Sequence, residues 1–345
     1  MKRVAVGMSG GIDSLFCALL LQQQGYEVIG VHLSLYGTNH EQDVEEVCRQ
    51  AGIPLYVQDG KELFRKTVIE EFVREYRQGR TPSPCCICNR SVKWELLEHA
   101  AQEVGASRMA TGHYVRIAHL NGRLYIRQGI DPAKDQSYFL WGIPPHILEK
   151  TLTPLGDYTK QEVKRRAEEQ GFGHLVQKRE SMGICFLQGN DYRDFVKQYG
   201  QEKEQHPGDI IDRQGNIIGR HNGLLNYTIG QKQGLPATCG EARYVAAIDT
   251  EKNIVVADCK KGLWQEELWV EQVKVTYPDD LQAPDLTVKI RGIGQNPQGY
   301  VRIEPFPEGK LHVRLSDAAW GVAPGQPVVF FRGELVIGGG IACKV

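Results

Sequence analysis

The chain has 345 residues, 41% apolar and 24% charged, the balance of an ordinary globular protein with room for two or three domains. With 41 basic and 42 acidic residues the net charge is −1, so bulk charge steers no nucleic acid and any such partner must be met by a local patch. No apolar run reaches the roughly 18 residues of a membrane span, and the first residues, MKRVAVGMSGG, pass directly into a strand and a glycine loop without the apolar segment of a signal peptide. A cytoplasmic location with no membrane partner is therefore expected.

The first half alternates β-type runs with helical patterns. RVAVGM leads to SLFCALLLQQQ, closed by Gly25; YEVIGVHLSL leads to HEQDVEEVCRQ, ending near Gly52; IPLYVQD leads to the long helical pattern KELFRKTVIEEFVREYRQ, stopped by Gly79. SVKWELLEHAAQEV and the strand RMATGHYVRI follow. Strand and helix in turn predict an α/β domain with a parallel sheet, helices on both faces and ligands at the carboxyl ends of the strands, up to about residue 200. From about residue 206 glycines and short β-type runs dominate, as in GDIIDRQGNIIGRH, RYVAAIDTEKNIVVAD, LTVKIRG and GQPVVFFRGELVIGGGIA, which predicts a small β-rich module followed by a β-barrel. The expected divisions are 1–205, 206–268 and 269–345.

Between the first strand and first helix lies SGGIDS, Ser9 to Ser14. Backbone N–H groups there face an anion at a helix N-terminus, Gly10 and Gly11 let the main chain approach phosphate, and Ser9 and Ser14 add hydroxyl donors. Asp13 is placed to assist Mg²⁺ or to cap the helix. The string is neither a G-x-x-x-x-G-K-[ST] loop nor a G-x-G-x-x-G loop. It resembles the signature of the ATP pyrophosphatase (PP-loop) superfamily, which splits ATP between its α and β phosphates and leaves AMP on a substrate oxygen.

Nine cysteines, an odd number, fit a reducing compartment, where clustered thiols point to metal or catalysis rather than disulfides. TPSPCCICNR brings Cys85, Cys86 and Cys88 together, with Cys85 and Cys88 in C-x-x-C and Asn89 placed as the N-cap of a helix starting at Arg90 or Ser91. A thiol at a helix N-terminus beside an arginine has a raised thiolate fraction, which suits a nucleophile or a metal ligand. Cys185 follows Gly183 in KRESMGICFLQGNDYRDFVKQY, where KRES reads as loop and DYRDFVKQY as helix. Cys86 reads as inward-packed, Cys17 and Cys48 as core residues, and Cys239, Cys259 and Cys343 carry no companion motif. The basic stretches KQEVKRR (160–166) and GRLYIRQG (122–129) read as solvated faces.

GMSGGIDS, GRTPSPCCICNRSVKW, ATGHYVRI, KDQSYFLWGI, SMGICFL and YTIGQKQGL, in that order, resemble the tRNA-specific 2-thiouridylases, which replace the C2 oxygen of the wobble uridine 34 of tRNA with sulfur. The resemblance implies an adenine nucleotide alpha-hydrolase-like domain, a central tRNA-binding domain and a C-terminal β-barrel. It implies ATP and Mg²⁺ held by Ser9, Gly10, Gly11, Asp13 and Ser14, with Thr111, Gly112 and His113 near the nucleotide. Cys185 would carry sulfur as a persulfide, with Cys88 as its resolving partner, and Lys134, Asp135 and Gln136 would lie near the target base. Tyr227, Gln231 and Lys232 fall in the expected central-domain tRNA contact. Sulfur would come from a cysteine desulfurase or a sulfur-relay protein.

Some family members have an aspartate where this chain has Cys85; others have C-x-x-C as here. The second pattern opens another route, in which Cys85, Cys88 and Cys185 hold a [4Fe–4S] cluster with one open iron. Two further readings remain from the residues: another AMP-forming enzyme, such as a lysidine-type tRNA synthetase or an amidating ligase, and a metal-containing RNA-binding protein that does not turn ATP over.

Overall fold

The computed structural model describes residues 2–37, 40–178, 183–199, 206–236, 242–292 and 294–344. Cys239, the KRES stretch beyond Lys178 and the expected division at 205/206 lie outside these residues. The chain forms two compact units: Met1–Val68 with Cys85–Met182 and Glu334–Ile337, and Ile69–Pro84 with Gly183–Gly333 and Gly338–Val345.

In the first unit the strands are β1 (Arg3–Gly7), β2 (Glu27–Ser34), β3 (Leu55–Asp59), β4 (Arg108–Ala110), β5 (Val115–Leu120), β6 (Arg123–Gln128) and β7 (Thr151–Leu152). A five-stranded sheet runs in the order β3-β2-β1-β4-β7, every pair parallel. Chain order reverses at β1, whose neighbours are β2 on one side and β4 on the other, so the crevice for a ligand opens beyond the ends of β1 and β4. Val4, Ala5 and Val6 are fully buried, as a central parallel strand covered on both faces requires. Helix α1 (Ile12–Gln23) buries Ile12, Leu15, Phe16, Cys17, Leu20 and Leu21 against that sheet. Each such large side chain contributes roughly 1.5–3 kcal/mol by leaving water. Cys17 and Cys48 are core residues, and burial pushes the Cys48 thiol up to about 11.

β5 and β6 form an antiparallel hairpin turned at Asn121 and Gly122, both with positive φ. In the stretch 122–129, Arg127 makes a surface ion pair with Glu334, which also meets Arg116, and Leu335 and Val336 add a strand beside β6.

The second unit contains β8 (Gly208–Ile211), β9 (Ile217–His221), β10 (Arg243–Asp249) and β11 (Ile254–Cys259), in the order β10-β11-β8-β9, around Ile210, Tyr227, Val245, Ile248, Val255 and Ala257. The C-terminal sheet follows, with β12 (Trp264–Val275), β13 (Leu286–Lys289), β14 (Val301–Phe306), β15 (Lys310–Trp320), β16 (Pro327–Arg332) and β17 (Leu335–Cys343). The expected division at 268/269 falls inside β12, which pairs with β15 from Trp264 onward and so belongs wholly to the C-terminal sheet. The sequence WQEELWVEQVKV is rich in charge, and its continuity as one strand comes from partners distant in the chain.

The long helical pattern from Lys61 is three pieces, Lys61–Phe64, a π-turn over Arg65–Ile69 and Glu70–Arg77, the last belonging to the second unit. There Arg80 bonds Glu75 at 2.8 Å and Glu271 at 2.5 Å. Glu75 is buried, and desolvation raises its pKa despite the opposing pull of Arg80. Arg80→Met strands two carboxylates. A fully buried broken pair costs about 3–5 kcal/mol; discounted for the partial exposure of Arg80 and Glu271, the expected loss is about 2 kcal/mol, read by urea unfolding.

Candidate active site

The stretch Ser9–Ser14 joins the end of β1 to α1. Gly10 has φ +73°, a region that L side chains rarely adopt, and Gly11 is the N-cap with no side-chain hydrogen bond to the helix. The first N–H groups of α1 therefore stay open at the positive end of the helix, the arrangement that receives phosphate. Ser14 knits the loop from within. Its buried Oγ accepts from Ser9 N at 3.1 Å, donates to Gly11 O at 3.0 Å and lies 3.2 Å from Ser9 Oγ. Ser9 itself is exposed.

Thr111, Gly112 and His113 leave the end of β4, beside that loop. Gly112 packs directly on the first turn of α1: a Cβ there would stand 2.8 Å from Asp13 C and 2.9 Å from Asp13 O and Ser14 N. Thr111 Oγ1 lies 2.8 Å from His113 Nδ1, and the imidazole stacks on Trp94 with centroids 6.1 Å apart. Burial, with Lys93 adding to it, pushes the His113 pKa down to about 3. The ring is thus a neutral hydrogen-bonding group, unsuited to serve as a phosphate cation. Its ordinary value is about 6.5, so the unfolded chain takes up a proton below that pH while the folded chain does not. Stability conferred by the neutral ring is present above about pH 6.5 and is lost on acidification toward pH 3, at up to about 1.4 kcal/mol per pH unit. His113→Gln is expected to remove that component of the stability–pH slope, measured by denaturant unfolding at a series of pH values.

The cysteines do not lie in a loop. Pro84–Cys88 is already helical and runs on through a π-turn, Asn89–Lys93, into the helix Trp94–Glu103. Asn89 is therefore not an N-cap; its Nδ2 donates to Phe139 O at 3.2 Å. Proline at the first helical position, where no N–H is needed, starts the helix six residues earlier than the Asn89 reading allows. Cys85 is exposed; Cys86 and Cys88 are buried, with Cys86 Sγ 3.9 Å from Tyr138 O, so Cys86 packs inward as expected. Cys85 and Cys88 stand three residues apart, close to one face of the helix. Arg90 lies 5.1 Å over the ring of Trp141. These contacts draw the cysteine helix, the turn after Gln136 and the turn after β4 into one neighbourhood of the first unit.

In that neighbourhood Asp135 organises its own loop. Its Oδ1 accepts from Gly129 N and Ser137 N, and its Oδ2 accepts from Ser137 Oγ at 2.7 Å. Gln136 is tied to Tyr114 twice, Oε1 accepting from Tyr114 N at 3.0 Å and Gln136 N donating to Tyr114 O at 3.2 Å. Lys134 is half-buried on the same loop.

Lys160, at the start of the helix Lys160–Glu169, is buried, and its Nζ sits 2.7 Å from each carboxylate oxygen of Asp13. Tyr114 Oη donates to Asp13 Oδ1 at 2.7 Å. Neither Lys160 nor Tyr114 was singled out by its sequence: KQEVKRR reads as a solvated face, yet its first residue is buried. A signal existed in T-K-Q-E, a capping box that Thr159 and Glu162 complete, since a lysine in a first turn opposes the helix dipole and calls for a carboxylate partner. The pairing bears on magnesium: both Asp13 oxygens are engaged, so an ion there would compete with Lys160.

Cys185 belongs to the second unit, at the first position of a short 3₁₀ turn, Cys185–Leu187. It is exposed, whereas Phe186 is buried between Phe72 and Phe195, each ring 5.1 Å away. The helix Tyr192–Gln198 follows, capped by Asp191. In the central module, Tyr227 is a core residue whose Oη donates to Gly234 O, and Gln231 accepts from Thr228 N and donates to Asn226 O and Gln233 O. Both are expected as tRNA contacts, and their side chains also hydrogen-bond within the loop, while Lys232 is exposed. Among the described residues no group of three or more His, Cys, Asp or Glu is placed to hold a metal ion. Of the three thiols expected to ligate a cluster, Cys85 and Cys88 belong to the first unit and Cys185 to the second. No helix among the described residues is long and apolar enough to cross a membrane.

Three family models cover the chain: "tRNA methyl transferase HUP domain" over residues 2–189, "tRNA methyl transferase PRC-barrel domain" over 193–258 and "Aminomethyltransferase beta-barrel domain" over 265–342. Among curated proteins, the chain is 41% identical to "tRNA-specific 2-thiouridylase MnmA 2" of Phocaeicola vulgatus, covering 99% of this chain and 97% of that one. It is 42% identical to "tRNA-specific 2-thiouridylase MnmA 3" of Bacteroides fragilis, over 98% and 93% of the two chains. With "tRNA-specific 2-thiouridylase MnmA" of Acetivibrio thermocellus it shares 37% identity over 99% of each. The architecture is accordingly a HUP-type α/β domain, a PRC-barrel-like central domain and a C-terminal β-barrel domain. The chain belongs to the tRNA-specific 2-thiouridylase family.

Proposed function

We propose that the chain thiolates the wobble uridine 34 of tRNA at C2 in the cytoplasm, consuming ATP. The observation that carries this reading is the uncapped N-terminus of α1 at the point where strand order reverses, in the same unit as the cysteine helix. Such an N-terminus suits phosphate, and the same unit carries Cys85 and Cys88, thiols that neither an amidating enzyme nor an ATP-holding RNA binder needs. The methyltransferase wording of two family models has no such support, because methyl transfer needs no polyphosphate seat.

In the first step uracil O2 attacks the α-phosphorus of ATP; the O2–P bond forms, the bond to the β-phosphate oxygen breaks, and pyrophosphate leaves toward the open N–H groups of Ser9–Ser14. Those donors hold charge that grows on the leaving group. Asp13 would supply a carboxylate to Mg²⁺, which neutralises phosphate charge when bound. In the second step the terminal sulfur of a Cys185 persulfide attacks C2 and AMP leaves. Cys88 thiolate then attacks Sγ of Cys185, breaking the S–S bond, releasing the thiocarbonyl and leaving a disulfide that a thiol reductant returns to two thiols. Cys185, exposed beside an anchored phenylalanine, is suited to receive sulfur from a desulfurase or relay protein. Lys134 and the loop that Asp135 and Gln136 organise would border the target base, and Lys232 would meet tRNA phosphate.

The test is incubation of the protein with ATP, Mg²⁺, a sulfur source and an unmodified tRNA transcript, followed by nucleoside mass spectrometry. 2-Thiouridine with one pyrophosphate per thiolation supports the reading; pyrophosphate release independent of tRNA overturns it. Iron and acid-labile sulfide, assayed on anaerobically purified protein, decide between the persulfide and cluster routes.

A further inference from the structure

The phosphate loop and the segment Asp131–Gln136 are joined twice inside the first unit, and both connections start at one carboxylate. The first runs from Asp13 Oδ1 to Tyr114 Oη at 2.7 Å, then from the Tyr114 main chain to the side chain and main chain of Gln136 at 3.0 and 3.2 Å. The second runs from Asp13 to Lys160 Nζ at 2.7 Å, then from Lys160 N to Asp131 Oδ2 at 2.9 Å. Asp131 in turn shapes the loop, its Oδ1 accepting from Ala133 N at 3.0 Å and its carbonyl from Lys134 N at 3.1 Å. Both intermediates are confined: Tyr114 is buried, and the Lys160 side chain is only 8% exposed.

We propose that Tyr114 and Lys160 are positioning residues that couple occupancy of the phosphate loop to the Asp131–Gln136 segment, so that nucleotide and tRNA bind cooperatively. The inference rests on the reading of that loop as an ATP site and of that segment as the border of the target base. An arriving polyphosphate, or the Mg²⁺ it carries, competes for the Asp13–Lys160 pair: phosphate oxygens attract the ammonium, and Mg²⁺ attracts the carboxylate. A buried ammonium has no solvent to retreat to, so it moves between two anionic partners rather than into water. Either exchange alters the acceptor that Tyr114 Oη uses and the anchor of the residue whose N–H holds Asp131. This gives two discrete arrangements that both ligands bias, which is the physical content of coupling.

The experiment measures the Kd of an unmodified tRNA transcript bearing a wobble uridine, with and without α,β-methylene-ATP and Mg²⁺. The wild type is expected to bind tRNA about 5-fold or more tightly with the analogue, and the analogue's affinity is raised by tRNA by the same factor, as linkage requires. Tyr114→Phe, which keeps the ring and loses one hydroxyl, should bring the ratio to within about 2-fold of unity, whatever it does to either affinity alone. Lys160→Met should do the same, and Lys160→Arg should restore part of the ratio; this pair decides the matter if Tyr114→Phe does not fold. A merely structural role weakens both binding states equally and leaves the ratio intact. A wild-type ratio of one, or a wild-type ratio retained in both Tyr114→Phe and Lys160→Met, overturns the proposal. Failure of the wild type to bind tRNA or the analogue at all overturns the functional reading beneath it, and is seen before any variant is made.

Discussion

Cys185→Ser is expected to lower 2-thiouridine formation by roughly 10³-fold or more while still releasing about one equivalent of pyrophosphate per tRNA. The split follows from where the residue sits. Cys185 is exposed on the second unit, whereas Ser9–Ser14 belong to the first, so under the proposed roles the substitution removes the sulfur carrier and leaves every residue of the phosphate loop unchanged. Serine is close to isosteric, and the turn is fixed by the buried Phe186 and Leu187 rather than by sulfur, so the fold should be unaffected. A hydroxyl cannot carry a persulfide. Rapid quench with labelled ATP reads the pyrophosphate burst, and mass spectrometry reads the thiolated nucleoside. Thiolation by Cys185→Ser at the wild-type rate would sink the persulfide role; loss of the burst as well would place the residue in the nucleotide half of the reaction. Cys85→Asp completes the comparison, since thiolation that survives it needs no third thiolate.

The parallel domain was legible because its signals are local: a β-branched strand, a glycine loop, an apolar helix and a closing glycine recur in order, and each is decided by neighbours in the chain. The glycine turn between β1 and α1 was legible for the same reason. Three features were not. Cys85 and Cys88 read as loop because Asn89 is a good cap residue, but Pro84 starts the helix earlier and leaves Asn89 to clasp Phe139, some fifty residues away. The division expected at 268/269 cuts β12, which its pairing with β15 and β17 makes one strand. Lys160 read as solvated because its neighbours are; its burial depends on Asp13, 147 residues earlier. Tyr227 and Gln231, expected to meet tRNA, also hydrogen-bond within their own loop. Asn89, β12 and Lys160 each depend on a partner far away in the chain, which a reading of local periodicity does not see.

Gly112→Ala is expected to lower kcat/KM for ATP by about 10²-fold, the scale set by displacing a reacting group by about 1 Å. The new methyl would meet Asp13 C at 2.8 Å and Asp13 O and Ser14 N at 2.9 Å, all backbone atoms of the first turn of α1, which no rotamer change can clear. That turn carries the open N–H groups, the Ser14 hydroxyl that knits the loop and the Asp13 carboxylate shared by Lys160 and Tyr114. Relief of the clash therefore moves the phosphate seat itself, and the strain should also cost about 1–3 kcal/mol of stability, as overpacking does elsewhere. Gly7→Ala, at the end of β1, is the control: its methyl would find Thr111 Cγ2 at 3.7 Å and Ala110 O at 3.8 Å, ordinary contact distances. Steady-state kinetics with ATP varied at saturating tRNA, beside thermal unfolding of both variants, separate the two effects. Equal kinetic losses in Gly7→Ala and Gly112→Ala would mean that general tightness at the strand ends, and not the approach of Gly112 to α1, sets the geometry of the seat.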